Sequence, residues 1–250
     1  MFTVVIANSK GGCGKSTVSM LLAGALSQYL TTVVADSDPQ GTSSLWGGLT
    51  GKFPAHVVTI DTADARAELA TLAAEYQLVV VDCPPNLEAL VFHAALAAAD
   101  LLLIPCAPEP ADQWATERML EFVRSFFPGL LTRIVINKVP SGTALAREVL
   151  KYVEGSNWPH AKARLGLRTA YKEAAALGSS LEGIKGAGAR TAREEVQALA
   201  MEVLTLLSAR PTAGRFAVQE DSQAVPETKP AAERIYRGPL IAERTNWNQY

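Results

Sequence analysis

Cysteine is scarce in this sequence. Cys13, Cys83 and Cys106 are the only three in 250 residues, no two of them form a C-x-x-C pair, and no histidine stands at ligand spacing from them. That excludes a disulfide framework and a zinc site, and it fits a reducing cytoplasm. Long apolar runs are scarce as well. The longest, residues 89–107, is interrupted by His93, Asp100 and Pro105, which excludes a membrane span. The start does not read as a secretion signal: residues 1–7 are apolar without a basic lead, and Lys10-Gly11-Gly12 follows at once. Neither charge sign dominates. With 23 Lys/Arg against 25 Asp/Glu the net charge is -2, so the overall charge points to no nucleic-acid partner. What the chain does have is apolar substance: 48% hydrophobic residues are enough for one sizeable core.

Short β-branched runs alternate with Ala/Leu-rich stretches. Residues 2–7, 32–36, 57–60, 78–82, 101–105 and 133–137 read as strands, and 15–29, 65–75, 87–98, 112–127 and 143–153 as helices. Near-continuous apolar strands separated by helices predict a doubly wound α/β fold: a mostly parallel sheet, helices on both faces, and ligands at the carboxyl ends of the strands. Residues 42–55, with Trp46-Gly47-Gly48, read as a surface loop. Beyond residue 155 the pattern weakens. Residues 163–167 suggest one more strand, and 190–207 a helix with Val196, Leu199, Ala200, Val203, Leu204 and Leu207 on one face. Residues 1–208 are therefore expected to form one domain. Residues 209–250 have prolines at 211, 226, 230 and 239 and no sustained period, and are expected to be a mostly disordered tail.

The chemistry concentrates at Asn8-Ser9-Lys10-Gly11-Gly12-Cys13-Gly14-Lys15-Ser16-Thr17, between a predicted strand and a predicted helix. Glycines there let backbone N–H groups turn around phosphate oxygens, and the helix N-terminus adds partial positive charge. Lys15 can reach the terminal phosphates, and the Ser16 hydroxyl can ligate Mg²⁺. The general pattern G-x-x-x-x-G-K-[ST] is not met in full, because Ser9 stands at its first glycine. Asp82 ends an apolar strand and can face the loop to hold the metal, while Asp36 and Asp38 follow another strand end. Each carboxylate could instead be a turn or cap residue, Lys10 a solvated loop lysine, and Asn137 a strand-end cap.

Residues 10–17 resemble the deviant Walker A motif of the ParA/MinD family of ATPases, in which a signature lysine precedes the glycines and the first glycine is often missing; Lys10 matches that lysine. The resemblance continues at Asp36-Ser37-Asp38-Pro39-Gln40-Gly41 and at Asp82-Cys83-Pro84-Pro85. It extends more weakly through Pro108-Glu109-Pro110 and residues 170–178 to about residue 207. It implies a P-loop fold that binds ATP and Mg²⁺ through Lys10, Gly11, Gly12, Cys13, Gly14, Lys15, Ser16 and Thr17. Ser16, Asp36 and Asp82 would serve the metal, Asp38 would orient the attacking water, and Asn137 would contact adenine. It also implies an ATP-dependent homodimer in which Lys10 crosses to the partner's ATP, with slow hydrolysis raised by an adaptor or centromere-binding protein. The corresponding function is partition or positioning of a plasmid, chromosome or protein cargo on the nucleoid.

Charge supports a DNA contact of that kind. Residues 1–150 carry 9 Lys/Arg against 14 Asp/Glu, whereas residues 161–193 hold seven basic and two acidic side chains. Lys162, Arg164, Arg168, Lys172, Lys185, Arg190 and Arg193 are the candidates for sequence-independent binding of duplex DNA. A merely solvated basic face is the plainer alternative, since Glu194 and Glu195 follow directly. Two other branches remain. A MinD-like membrane-cycling ATPase needs an amphipathic C-terminal helix, which the proline pattern of 210–250 disfavours. A metabolic relative such as the nitrogenase reductase needs cluster-binding cysteines; Cys13 and Cys83 sit inside motifs, leaving only Cys106.

Overall fold

The structure is a computed structural model that describes residues 1–60, 63–140 and 144–209. Apart from Ala209, the expected tail lies outside the described residues, as does Thr143 at the start of one expected helix. Strands β1 (Phe2–Ile6), β2 (Thr32–Asp36), β3 (His56–Thr59), β4 (Leu78–Asp82), β5 (Leu101–Cys106), β6 (Thr132–Val139) and β7 (His160–Gly166) form one sheet in the order β3-β2-β4-β1-β5-β6-β7. Every pairing is parallel. Between and after them run α1 (Lys15–Leu26), α2 (Thr42–Gly48), α3 (Ala65–Glu75), α4 (Leu90–Ala98), α5 (Pro110–Phe126), α6 (Ala144–Gly155), α7 (Thr169–Ala176) and α8 (Ala187–Ser208).

A central parallel strand is covered on both faces, so both sets of alternating side chains must be apolar. In β1, Val4 and Ile6 join a core made with α1, α2, α7 and α8. Val5 and, just beyond the strand, Ala7 join the opposite core, made with α3, α4 and α5. The doubly wound fold read from the sequence is the fold observed. From β1 the chain crosses to β2 on one side, and from β4 it crosses to β5 on the other. The crevice at such a reversal, at the carboxyl ends of the strands, is where ligands of this fold class bind.

Several expected boundaries shift. The surface loop expected over 42–55 contains α2, with Ser43 and Trp46 buried. Trp46 donates its indole N–H to the Ser179 carbonyl at 3.0 Å, and a Cβ at Gly47 would lie 2.3 Å from Val57, so this short helix is pressed onto the core. The helix expected from residue 87 begins only at Leu90, because the Asn86 side chain takes the Glu88 N–H at 2.9 Å and holds a turn in place of a helical one. The strand expected over 163–167 starts earlier, at His160, and α7 was not anticipated. β6 continues past its expected end at Asn137 to Val139. Its register against β7 passes from Ile136↔Arg164 to Val139↔Gly166, which leaves one extra residue on β6. In that bulge Lys138 has φ 55, the one positive φ outside glycine among the described residues.

Candidate functional site

Four strand ends meet around the loop that joins β1 to α1. Asp36 of β2 pairs in register with Asp82 of β4, and Asp82 in turn with Ile6 of β1. On the loop's other side stand the carboxyl ends of β5 and β6. The acids therefore line one flank of the loop, while Asn137 and Lys138 touch it from the β6 end.

The loop itself is shaped by two left-handed glycines, Gly12 at φ 78 and Gly14 at φ 101, the latter opening α1. Asn8 anchors its start: the side-chain amide donates to the Pro105 carbonyl at 2.8 Å and its oxygen takes the Lys10 N–H at 3.2 Å. Lys15 is only 6% exposed and donates to the Lys10 carbonyl at 3.2 Å, so its ammonium is folded back across the loop. Lys10 leaves in a different direction. It forms ion pairs with Glu109 at 3.3 Å and with Asp112, a carboxylate 1% exposed at the start of α5. The Asp112 hydrogen bond, set against some desolvation, holds the Lys10 ammonium above its ordinary value.

Asp82 is fully buried, and burial pushes its carboxyl up to about 6. Hydrogen bonds from Ser16, Ser43 and Ser19 oppose that rise, and the nearby Asp36 charge adds to it. The Ser43 hydroxyl donates at 2.7 Å and the Ser19 hydroxyl at 3.3 Å. Asp36 accepts the Ser44 and Asp38 N–H groups at 2.7 and 3.2 Å, which fixes the turn into α2. Asp38 is half-buried and accepts the Gln40 N–H at 3.0 Å. A desolvated carboxylate ringed by hydroxyls, with no ion pair among the described residues, is short of a cation. The all-oxygen set of Ser16, Asp36 and Asp82 suits a hard ion such as Mg²⁺.

Asn137 is buried, donating to the Cys13 carbonyl at 3.0 Å and accepting the Lys138 N–H at 2.8 Å. All three cysteines are buried free thiols. Burial raises the thiol pKa of Cys13 and Cys83, and that of Cys106 to about 12, so none is a ready thiolate.

The structure brings the phosphate-loop residues and the three aspartates into one place. It spreads the basic candidates over β7, the turn into α7, α7, the segment before α8, and α8, and all four arginines are engaged. Arg168 pairs with Glu195 at 2.5 Å, Arg164 with Glu154, and Arg190 with Glu194 at 3.0 Å. Arg193 donates to the Leu181 and Ile184 carbonyls at 3.2 and 2.8 Å. Lys162, Lys172 and Lys185 are exposed and carry no ion pair among the described residues. Sequence reasoning missed Ser19, Ser43, Asp112 and Lys138. Ser19 had a signal, since it lies one turn after Lys15 and three residues after Ser16 on α1. Ser43 had none, lying in a stretch read as loop.

Comparison with known proteins agrees with this geometry. Over residues 4–181 the sequence matches the CobQ/CobB/MinD/ParA nucleotide binding domain. It is 32% identical over 209 residues to a maintenance of carboxysome distribution protein A of Halothiobacillus neapolitanus, covering 81% of this chain and 96% of that protein. It is also 32% identical over 199 residues to the chromosome partitioning protein ParA of Myxococcus xanthus, covering 61% of this chain and 70% of that protein. Among solved structures, a Cyanothece McdA–ATP complex has the same fold, with a TM-score of 0.65 at 18% identity over 86% of this chain and 99% of the other. Its sequence, sheet order and phosphate loop together make the chain a member of the CobQ/CobB/MinD/ParA family of nucleotide-binding domains, of the ParA type with the deviant Walker A loop.

Proposed function

We propose that the protein is a slow, partner-stimulated Mg-ATPase that dimerises on ATP, binds duplex DNA without sequence preference, and uses that cycle on the nucleoid to position a cargo. The carrying observation is the divergence of the loop's two lysines. Lys15 folds back over its own loop, whereas Lys10 turns to the start of α5, pairing with Glu109 and the buried Asp112. One cation already serves the bound phosphates, so Lys10, on release from Glu109 and Asp112, can reach the site of a second copy. Asp38 orients the attacking water, Ser16 and Asp82 hold Mg²⁺ with Asp36 in support, and Asn137, beside the loop at the Cys13 carbonyl, contacts the base. The metal, when bound, neutralises phosphate charge. A Cyanothece relative solved as an ATP complex supports the choice of nucleotide. The match to nearly the whole of a carboxysome distribution protein, against 70% of a chromosome partitioning one, favours a protein assembly as cargo.

Light scattering with ATP and Mg²⁺ tests the reading. Wild type and Asp38→Ala are expected to run as dimers with ATP and monomers with ADP, and Asp38→Ala should accumulate because hydrolysis stops. Lys10→Ala should bind ATP yet stay monomeric. An Asp38→Ala protein that remains monomeric while saturated with ATP would overturn the sandwich dimer.

A further inference from the structure

We propose that Lys138 is a positioning residue of the phosphate loop: its ammonium, together with the Asn137 amide, sets the orientation of two consecutive loop peptides. The proposal rests on the nucleotide reading above. Lys138 donates from Nζ to the Gly12 carbonyl, and Asn137 donates from Nδ2 to the Cys13 carbonyl at 3.0 Å. No peptide bond here is cis. In a trans peptide the C=O and the following N–H point in opposite directions. Tying the Gly12 and Cys13 carbonyls to β6 therefore turns the N–H groups of Cys13 and Gly14 away from β6, toward the side on which an anion held by this loop must sit. Two donors from one strand end thus act on the loop's outer side so that two donors face inward.

The backbone of Lys138 argues that the contact is more than incidental. At φ 55 the position favours glycine, yet a lysine occupies it, inside a bulge that re-aims its side chain. Asn137 braces it by accepting its N–H at 2.8 Å. The approach is close: a Cβ on Gly14 would lie 2.2 Å from Asn137 Nδ2 and 3.8 Å from Lys138 Cε. Phosphate chemistry does not otherwise require a third lysine, since Lys15 and Lys10 are already placed.

Substituting glycine separates the two roles, because Lys138→Gly relaxes the backbone while deleting the ammonium. Binding of Mg-ADP is measured by calorimetry beside apo thermal melts. The expected result is an affinity about ten-fold weaker, the scale of one charge-assisted hydrogen bond, with an apo melting temperature equal to or above wild type. Lys138→Met, which keeps the stem, should lose affinity to a similar degree, and Lys138→Arg should stay within about three-fold of wild type. If Lys138 merely fills a turn, Lys138→Gly and Lys138→Met will bind Mg-ADP like wild type, and the proposal falls while the nucleotide reading stands. If wild type itself binds no Mg-ADP, both fall.

Discussion

A carboxylate shut away from water holds its proton more tightly, and Asp82 does so, with no ion pair among the described residues. Its folded-state value of about 6 lies above the ordinary 3.8. Between those values the folded protein binds more protons than the unfolded one, so this group's contribution makes stability fall as pH rises from about 4 to about 6. Above that range the full cost remains, on the order of 3 kcal/mol. We predict that Asp82→Asn raises the apo melting temperature at pH 7.5, that the gain fades toward pH 4, and that Mg²⁺ no longer strengthens nucleotide binding. Melts across that pH range check the first two statements; a variant less stable than wild type at pH 7.5 would contradict them. Gly14 is the opposite case, a residue defined by what it lacks. Gly14→Ala would place a Cβ 2.2 Å from Asn137 Nδ2 on a backbone at φ 101. Both effects predict a loss of roughly 1–3 kcal/mol in denaturant unfolding, together with loss of ADP binding.

At the scale of elements, β7, α7 and α8 are joined by carboxylates from α8. Glu202 accepts the Lys162 and Ala163 N–H groups at 3.0 and 2.9 Å, which covers part of an edge strand. Glu195 accepts the Gly166 N–H at 3.0 Å and the Tyr171 hydroxyl at 2.7 Å, and pairs with Arg168. Burial alone would raise the Glu195 carboxyl, but those donors outweigh it and hold it below its ordinary value. Its contribution is therefore present at neutral pH and lost as pH falls through the folded-state value. Glu195→Gln should destabilise by about 1–3 kcal/mol at pH 7, with the gap narrowing in acid; an unchanged urea midpoint at pH 7 would refute this. β7 and α8 were legible in the sequence, but α7 and these carboxylate contacts were not. The apolar strands and long helices were, because burial on both faces of a parallel sheet and the face of α8 leave periodic marks, and the phosphate loop was, because glycines and lysines at fixed spacing are visible as such. Asp112, Glu195 and Ser43 act through partners 102, 27 and 39 residues away, at Lys10, Arg168 and Asp82. Local pattern holds no trace of such pairings. α2 was hidden for a related reason: its glycines read as loop, whereas Gly47 is small because Val57 presses on it.

For the whole molecule the question is how a protein of net charge -2 could hold DNA. Attraction to the duplex backbone depends on cations free to displace counterions, and an arginine already paired with a carboxylate contributes little net charge. Arg164, Arg168 and Arg190 are paired in this way. Arg168 is also a poor test position, since Arg168→Glu would set two carboxylates against each other beside Tyr171 and disturb the fold. Lys162, Lys172 and Lys185 are exposed and suit the test. One copy offers few such cations. Two copies joined by ATP would double the phosphates contacted, so affinity should rise steeply with dimerisation and tie DNA binding to the nucleotide. We predict that Asp38→Ala with ATP binds random-sequence duplex at low salt and that binding weakens as salt is added. Adding Lys172→Glu and Lys185→Glu should weaken binding at least ten-fold and flatten the salt dependence while light scattering still reports a dimer. If the ATP-bound dimer ignores DNA at low salt, nucleoid-based positioning is refuted. If it binds DNA but the lysine reversals leave affinity and salt slope unchanged, the contact lies on another surface, and α7 and the segment before α8 are not part of it.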